Sequence, residues 1–288
     1  YFKKQKKEDV FSFQSFKKLL PNNQKKQAKD VFKGLRDLQK DFEDIYNDPI
    51  AYNYLKCSLI GSSSDAEDKY NVIMHFINNK RDKACQSEYA KWRLLGSTHI
   101  EITEDYTKDP TSIEGDINNA EKRKERAMQM IINLSKAKVY NVYNDALYKQ
   151  LLRLNVEEYN KLNGGKGLKF DFSIWSNKSL EHIYPKSKFY HTEIAEDESI
   201  RYIRGDCVEI SKEEATKLLD SNKVFSNPDR YSEHCIGNLV LLYGRNNSEF
   251  GSLPFEEKKT KFFNNERSFD SRNLLHTIAS FAKSKWEP

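Results

Sequence analysis

The chain has 288 residues, 38% of them hydrophobic and 32% charged, with a net charge of +5. That length supports a buried core and one or two domains, of which two are expected, and no apolar run approaches the roughly 20 residues of a membrane span. The first residues, YFKKQKKEDV, lack the apolar centre of a signal peptide. Cys57, Cys85, Cys207 and Cys235 stand singly, without a C-x-x-C pair or a secreted framework spacing, so a reduced, cytoplasmic setting is expected. The mild basic excess permits a nucleic-acid partner without demonstrating one. A start at Tyr1 rather than methionine suggests a piece of a longer protein, or a processed or partly ordered chain, and an N-terminal partner domain is expected to be missing.

In KDVFKGLRDLQKDFEDIYND (29–48), Val31, Phe32, Leu35, Leu38, Phe42, Ile45 and Tyr46 recur at three- and four-residue steps, which predicts an amphipathic helix. EDKYNVIMHFINNK (67–80) predicts a second helix, and a longer, more broken segment from about Asp116 to Leu162 a third. Between them TEDYTKDPTSIEGD (103–116) reads as a solvated loop, because its acids do not have calcium-loop spacing. Residues 1–162 are therefore expected to form a helical domain. NGGKG (163–167) breaks any helix and marks the boundary to a second module, 163–288.

In that module LKFDFSIW (168–175) alternates as a strand does, and SLEHIYPKS (179–187) predicts a strand stopped by Pro185. A long insertion follows, in which Ser211 and Glu214 make a capping box for one short helix. HCIGNLVLLYGRNN (234–247) predicts a strand with Asn238 near its start and Asn246 and Asn247 just past its end. SLPFEEKKTKFF (252–263) opens a helix with Pro254 in its first turn and acids at its start. There is no internal repeat and no low-complexity segment. The expected class is α+β.

Glu181 and His182 are adjacent in an apolar strand, so their side chains are expected on opposite faces and one of them must turn inward or meet a ligand. In order, LEHIYP, IGNLVLL, an asparagine nine residues beyond Asn238, and LPFEEKK resemble the HNH or His-Me finger nucleases. More narrowly, residues 170 to 262 are similar to the nuclease half of GmrSD-type modification-dependent restriction enzymes. The resemblance implies a ββα-metal module after a mainly helical domain, acting as a metal-dependent DNA endonuclease in bacterial restriction or phage defence. It implies Glu181 and Asn247 as ligands of Mg²⁺ or Mn²⁺, His182 as general base and Asn238 as the residue orienting it. It implies double-stranded DNA as partner, and an N-terminal sensor module that is not in this chain.

These residue types suit phosphodiester hydrolysis. A histidine near its free pKa of about 6.5 can take a proton from water, a role worth roughly 10²- to 10⁴-fold. Magnesium keeps most of its waters and needs only one or two protein oxygens. Lys186, Lys188, Arg245, Lys258, Lys259 and Lys261 flank the strands and the final helix and are candidates for phosphate contacts, which position a duplex without reading its sequence; a solvated helix face explains any single lysine as well. Asn246 is the rival to Asn247, since paired asparagines after a strand also cap helices. His191, His234 and Cys235 fit no zinc spacing and are read as structural. His75, His99 and His276 are read as core or surface. Two other functions use the same residues: a nucleic-acid-binding or interaction module with a degenerate finger, and an RNA-cleaving toxin nuclease.

Overall fold

The computed structural model describes residues 25–96, 128, 131, 132, 134, 140, 144–224, 233–264 and 269–286. The loop expected at 103–116, His99, and most of the first part of the third helical segment lie outside them. The chain divides into two compact units, Tyr1–Asp48 and Pro49–Pro288.

The described part of the first unit is the helix α1 (Lys25–Asn47), which contains the whole three-and-four pattern predicted there. Gln39 and Glu43, one turn apart, are joined by a 2.9 Å side-chain hydrogen bond.

The second unit opens with α2 (Pro49–Ile60), α3 (Ala66–Asn78) and α4 (Lys83–Gly96). Asp65 caps α3 by accepting the Glu67 N–H. Helix α5 (Asn144–Gly165) follows, and the chain leaves helical geometry at Leu162, Asn163 and Gly164. Asn163, Gly164, Gly165 and Gly167 all have positive φ, so the NGGKG run ends the helix by supplying residues that tolerate the left-handed region. The domain boundary expected here falls inside the second unit. Asn53 of α2 donates to Asn160 of α5 at 2.7 Å and accepts the Phe170 N–H at 2.8 Å.

LKFDFSIW was expected to be a strand and is instead a coil leading into a 3₁₀ turn, Phe172–Ser176. Asp171 accepts the Ser173 N–H at 2.9 Å, an Asx-type turn that competes with extension. Phe170 and Ile174 still pack inward and are buried, while Leu168 is exposed.

Strand β1 (Lys178–His182) pairs antiparallel with β6 (Leu239–Tyr243), Glu181 opposite Val240 and His182 opposite Leu239. The insertion between them holds more than the one expected helix. It carries a second sheet of β2 (Phe189–Ile194), β3 (Ile200–Arg204), β4 (Glu209–Ile210) and β5 (Leu219–Asp220) in the order β4-β3-β2-β5. The short helices α6 (Lys212–Ala215), with the predicted capping box, and α7 (Ser221–Val224) complete it.

After β6 come α8 (Gly244–Phe250), α9 (Phe255–Phe263, capped by Pro254) and α10 (Leu275–Phe281). Their apolar faces close over the β1–β6 pair in a core of Ile183, Val240, Leu242, Phe250, Phe255, Phe262, Phe269 and Phe281. Each such aromatic side chain contributes roughly 1.5–3 kcal/mol by leaving water. The helical segment is tied to this core, since Asn155 of α5 accepts the His276 N–H at 3.0 Å and Thr277 of α10 donates to Leu241 O at 2.8 Å. The architecture is α+β, and no described helix is long and apolar enough to cross a membrane.

Candidate active site

β1 stops at His182 because the chain bends at Ile183 and Tyr184, ahead of Pro185. Asn238 holds that bend. Its backbone carbonyl accepts the Ile183 N–H at 2.8 Å, its Oδ1 accepts the Tyr184 N–H at 2.8 Å, and its Nδ2 donates to Tyr184 O and Glu233 O at 3.0 and 2.7 Å. A fully buried amide here acts as an extra backbone partner, continuing the ladder for one residue. Asn238 therefore positions the segment that carries His182 and makes no contact of its own with that ring among the described bonds.

Beside the bend lies a cavity of about 200 Å³ lined by residues that include Tyr140, Glu181, His182, Lys186, Asp206, Asn247 and Lys258. At roughly 30 Å³ per water, this holds several waters or a hydrated cation with a phosphate group. Glu181 and His182 were expected on opposite faces, yet both are 7% exposed and both line this one cavity. The alternation ends where the strand does.

Glu181 meets Lys258 of α9, whose Nζ lies 2.5 Å from Oε1 and also donates to His182 O at 2.7 Å. Oε1 therefore has the ammonium directly against it. Burial raises the Glu181 carboxyl above its ordinary value, with Lys258 pulling the other way. Burial likewise lowers the Lys258 ammonium, with Glu181 opposing.

The His182 ring reaches His234, Nε2 to Nδ1, at 3.2 Å. His234 Nε2 is 3.1 Å from Gly205 O and 3.8 Å from Glu233 Oε1. Tyr140 stacks on His234 at 5.7 Å and meets His182 edge-on at 4.7 Å. Burial above all, then His234, Lys186 and Lys258, pushes the His182 pKa down to about 3, so the ring is neutral at pH 7. A carboxylate, Asp206, also lines the cavity and is held below its ordinary range by two hydrogen bonds from Arg204.

Asn247, in α8, turns its Nδ2 onto β1, donating to Ser179 Oγ and to Leu180 O at 3.1 Å, which leaves Oδ1 as its oxygen donor. Asn246 points the other way. It is fully buried, and its Oδ1 accepts from Ser271 N and Oγ at 3.1 and 2.7 Å.

The basic residues divide. Lys186 lines the cavity with its ammonium over the Tyr140 ring at 5.7 Å, and Lys188 is exposed. Arg245 is paired with Asp270, Lys259 donates to Lys283 O, and Lys261 donates to Glu249 O. Lys258 was expected among the outward cations and is 1% exposed, its charge turned onto Glu181. His191 lies on β2 paired with Glu193 at 3.1 Å. His234 was read as structural and stands against His182. Nothing local in YSEHC signals this, because the contact spans 52 residues.

The donor set was tested for a cation. Among the described residues no group of three or more His, Cys, Asp or Glu side chains forms a cage. One carboxylate, already paired with Lys258, and one amide oxygen are too few for a closed zinc site, and as oxygen donors fit a hard cation that retains most of its waters.

No curated protein and no solved structure matches the chain. The family described as GmrSD restriction endonucleases, C-terminal domain, matches residues 125–288. That span contains α5, both strands of the β1–β6 pair, the insertion and every residue of the cavity, and with more than half of its length matched the chain belongs to that restriction endonuclease family.

Proposed function

We propose that this chain is a metal-dependent DNA endonuclease of the HNH type, the cytoplasmic effector of a restriction or phage-defence protein, in which β1, β6 and α8 form the ββα-metal finger. The observation carrying this reading is the convergence of Glu181, His182 and Asn247, from a strand and a helix far apart in sequence, on one cavity. Family membership supports the reaction class. Target choice is assigned to an N-terminal sensor module.

Glu181 and Asn247 would hold Mg²⁺ or Mn²⁺, which supplies charge stabilisation to the phosphate and the leaving oxygen. His182, neutral in the buried site, takes the proton of the attacking water. A free pKa of about 3 makes a weak base. An incoming phosphodiester, being an anion, opposes the push of Lys186 and Lys258 and raises that basicity when substrate is present. Lys258 and Asn238 hold the peptide that follows the base, through His182 O and the Ile183 N–H. Lys186, which lines the cavity, and the exposed Lys188 two residues on offer phosphate contacts.

Supercoiled plasmid incubated with the chain is expected to be nicked with Mg²⁺ or Mn²⁺ and left intact with EDTA. Equal cutting in EDTA removes the metal from the reaction. Silence with every metal favours the binding-module reading, and preferential cutting of RNA favours the toxin reading.

The two asparagines separate ligand from scaffold. Asn247→Ala is expected to weaken metal binding and cleavage, with activity recovering as Mg²⁺ is raised, and to cost some stability through the two hydrogen bonds lost to β1. Asn246→Ala leaves Ser271 N–H buried and unpaired and is expected to lower stability by about 1–3 kcal/mol. If the Asn246 variant is the one rescued by metal, the ligand assignment is wrong by one residue.

A further inference from the structure

Resting on the nuclease reading above, we propose that His234 is a positioning residue that holds His182 in the tautomer with hydrogen on Nε2 and the lone pair on Nδ1, and that the Gly205 carbonyl sets this choice.

One group in this relay has no choice of role. A backbone carbonyl only accepts hydrogen bonds, so the 3.1 Å contact between Gly205 O and His234 requires hydrogen on His234 Nε2. A neutral imidazole with hydrogen on Nε2 carries its lone pair on Nδ1. That nitrogen lies 3.2 Å from His182 Nε2, and the contact is a hydrogen bond only if His182 supplies the hydrogen. His182 Nδ1 is then the basic nitrogen. The logic is that of a histidine whose tautomer is set by what its other nitrogen bonds.

Neighbouring features hold the relay in place. A Cβ at Gly205 would lie 2.4 Å from Lys186 O and 2.9 Å from Glu233 Oε1, so only glycine brings this carbonyl so close. Tyr140 touches both rings. Glu233, 3% exposed and 3.8 Å from His234 Nε2, is too far for a hydrogen bond and pulls the ring toward its charged form, against burial. Burial, the largest influence on the His234 ring, favours its neutral form, in which Nδ1 keeps its lone pair. When His182 Nδ1 accepts a proton, its Nε2–H becomes a charge-assisted donor to His234. The contact therefore strengthens as the reaction proceeds.

The test reads the imidazole nitrogens by ¹⁵N NMR on the full chain without DNA or metal, with the His182 signals assigned by their loss in His182→Ala. Wild type is expected to show His182 protonated at Nε2 and bare at Nδ1. His234→Phe, which keeps an aromatic ring beside Tyr140 but removes the acceptor, is expected to give a mixture of tautomers and roughly 10- to 100-fold slower cleavage. His234→Asn returns an acceptor and is expected to restore both. Hydrogen on His182 Nδ1 in wild type overturns the proposal, as does a His234→Phe protein with unchanged tautomer and unchanged cleavage. The wild-type spectrum is decisive even if His234→Phe fails to fold. It is also independent of whether the chain cuts DNA, so failure of the nuclease reading is seen separately in the plasmid assay.

Discussion

His182→Ala is expected to lower plasmid cleavage by roughly 10²-fold or more while leaving DNA binding close to wild type, the loss characteristic of a missing general base. The side chain lines the cavity and hydrogen-bonds another ring, so its removal leaves Glu181 and Asn247 where they are. Its backbone carbonyl remains to accept from Lys258, and Asn238 still clamps the bend through backbone groups of Ile183 and Tyr184. Single-turnover cleavage and a gel-shift titration check the two halves of the expectation. A variant that cuts at the wild-type rate moves the base role elsewhere, and His234, one hydrogen bond away, is the first candidate.

Lys258→Met is expected to produce the largest loss of stability, about 3–5 kcal/mol at neutral pH, because it strands a buried carboxylate without its cation. Both partners are almost wholly enclosed, so solvent does not screen the pair. The loss has a pH signature. Burial already raises the Glu181 pKa and Lys258 opposes that rise, so the variant's folded-state value is higher still, above the unfolded value of about 4.3. A folded acid with a raised pKa binds more protons than the unfolded chain, so it loses stability as pH rises through that window. The difference between wild type and Lys258→Met should therefore shrink from pH 7 to pH 5, measured by urea unfolding at each pH. Adding Glu181→Gln to Lys258→Met should recover much of the loss. A penalty that is equal at both pH values, or unrelieved in the double variant, would show that the lysine stabilises through its stem rather than its charge.

Much of the fold is written locally. The three-and-four spacing in α1, the capping box of α6 and the apolar runs of β1 and β6 are properties of near neighbours, and each element stands where its pattern puts it. LKFDFSIW misled for a local reason as well, since its alternation is genuine but Asp171 and Ser173 satisfy each other in a turn before any strand can pair with them. The second sheet was hidden because its strands are short and outward-facing, with Ile194 and Ile200 left exposed at the hairpin end, so burial imposes no clean alternation on them.

Read alone, the chain of residues establishes the side chains available for chemistry, their order and the strand that carries Glu181 and His182. Long-range packing chose which of them share a cavity. It put Asn247 beside Glu181 and turned Asn246 into the core, a choice made by which side of α8 faces β1. It withdrew Lys258 from the surface to face a carboxylate 77 residues earlier in the chain, and brought His234 against His182. Periodicity reports which face of an element is apolar. It carries no record of which distant element arrives to cover that face, because that is settled by packing and by the need of each buried charge and donor to find a partner.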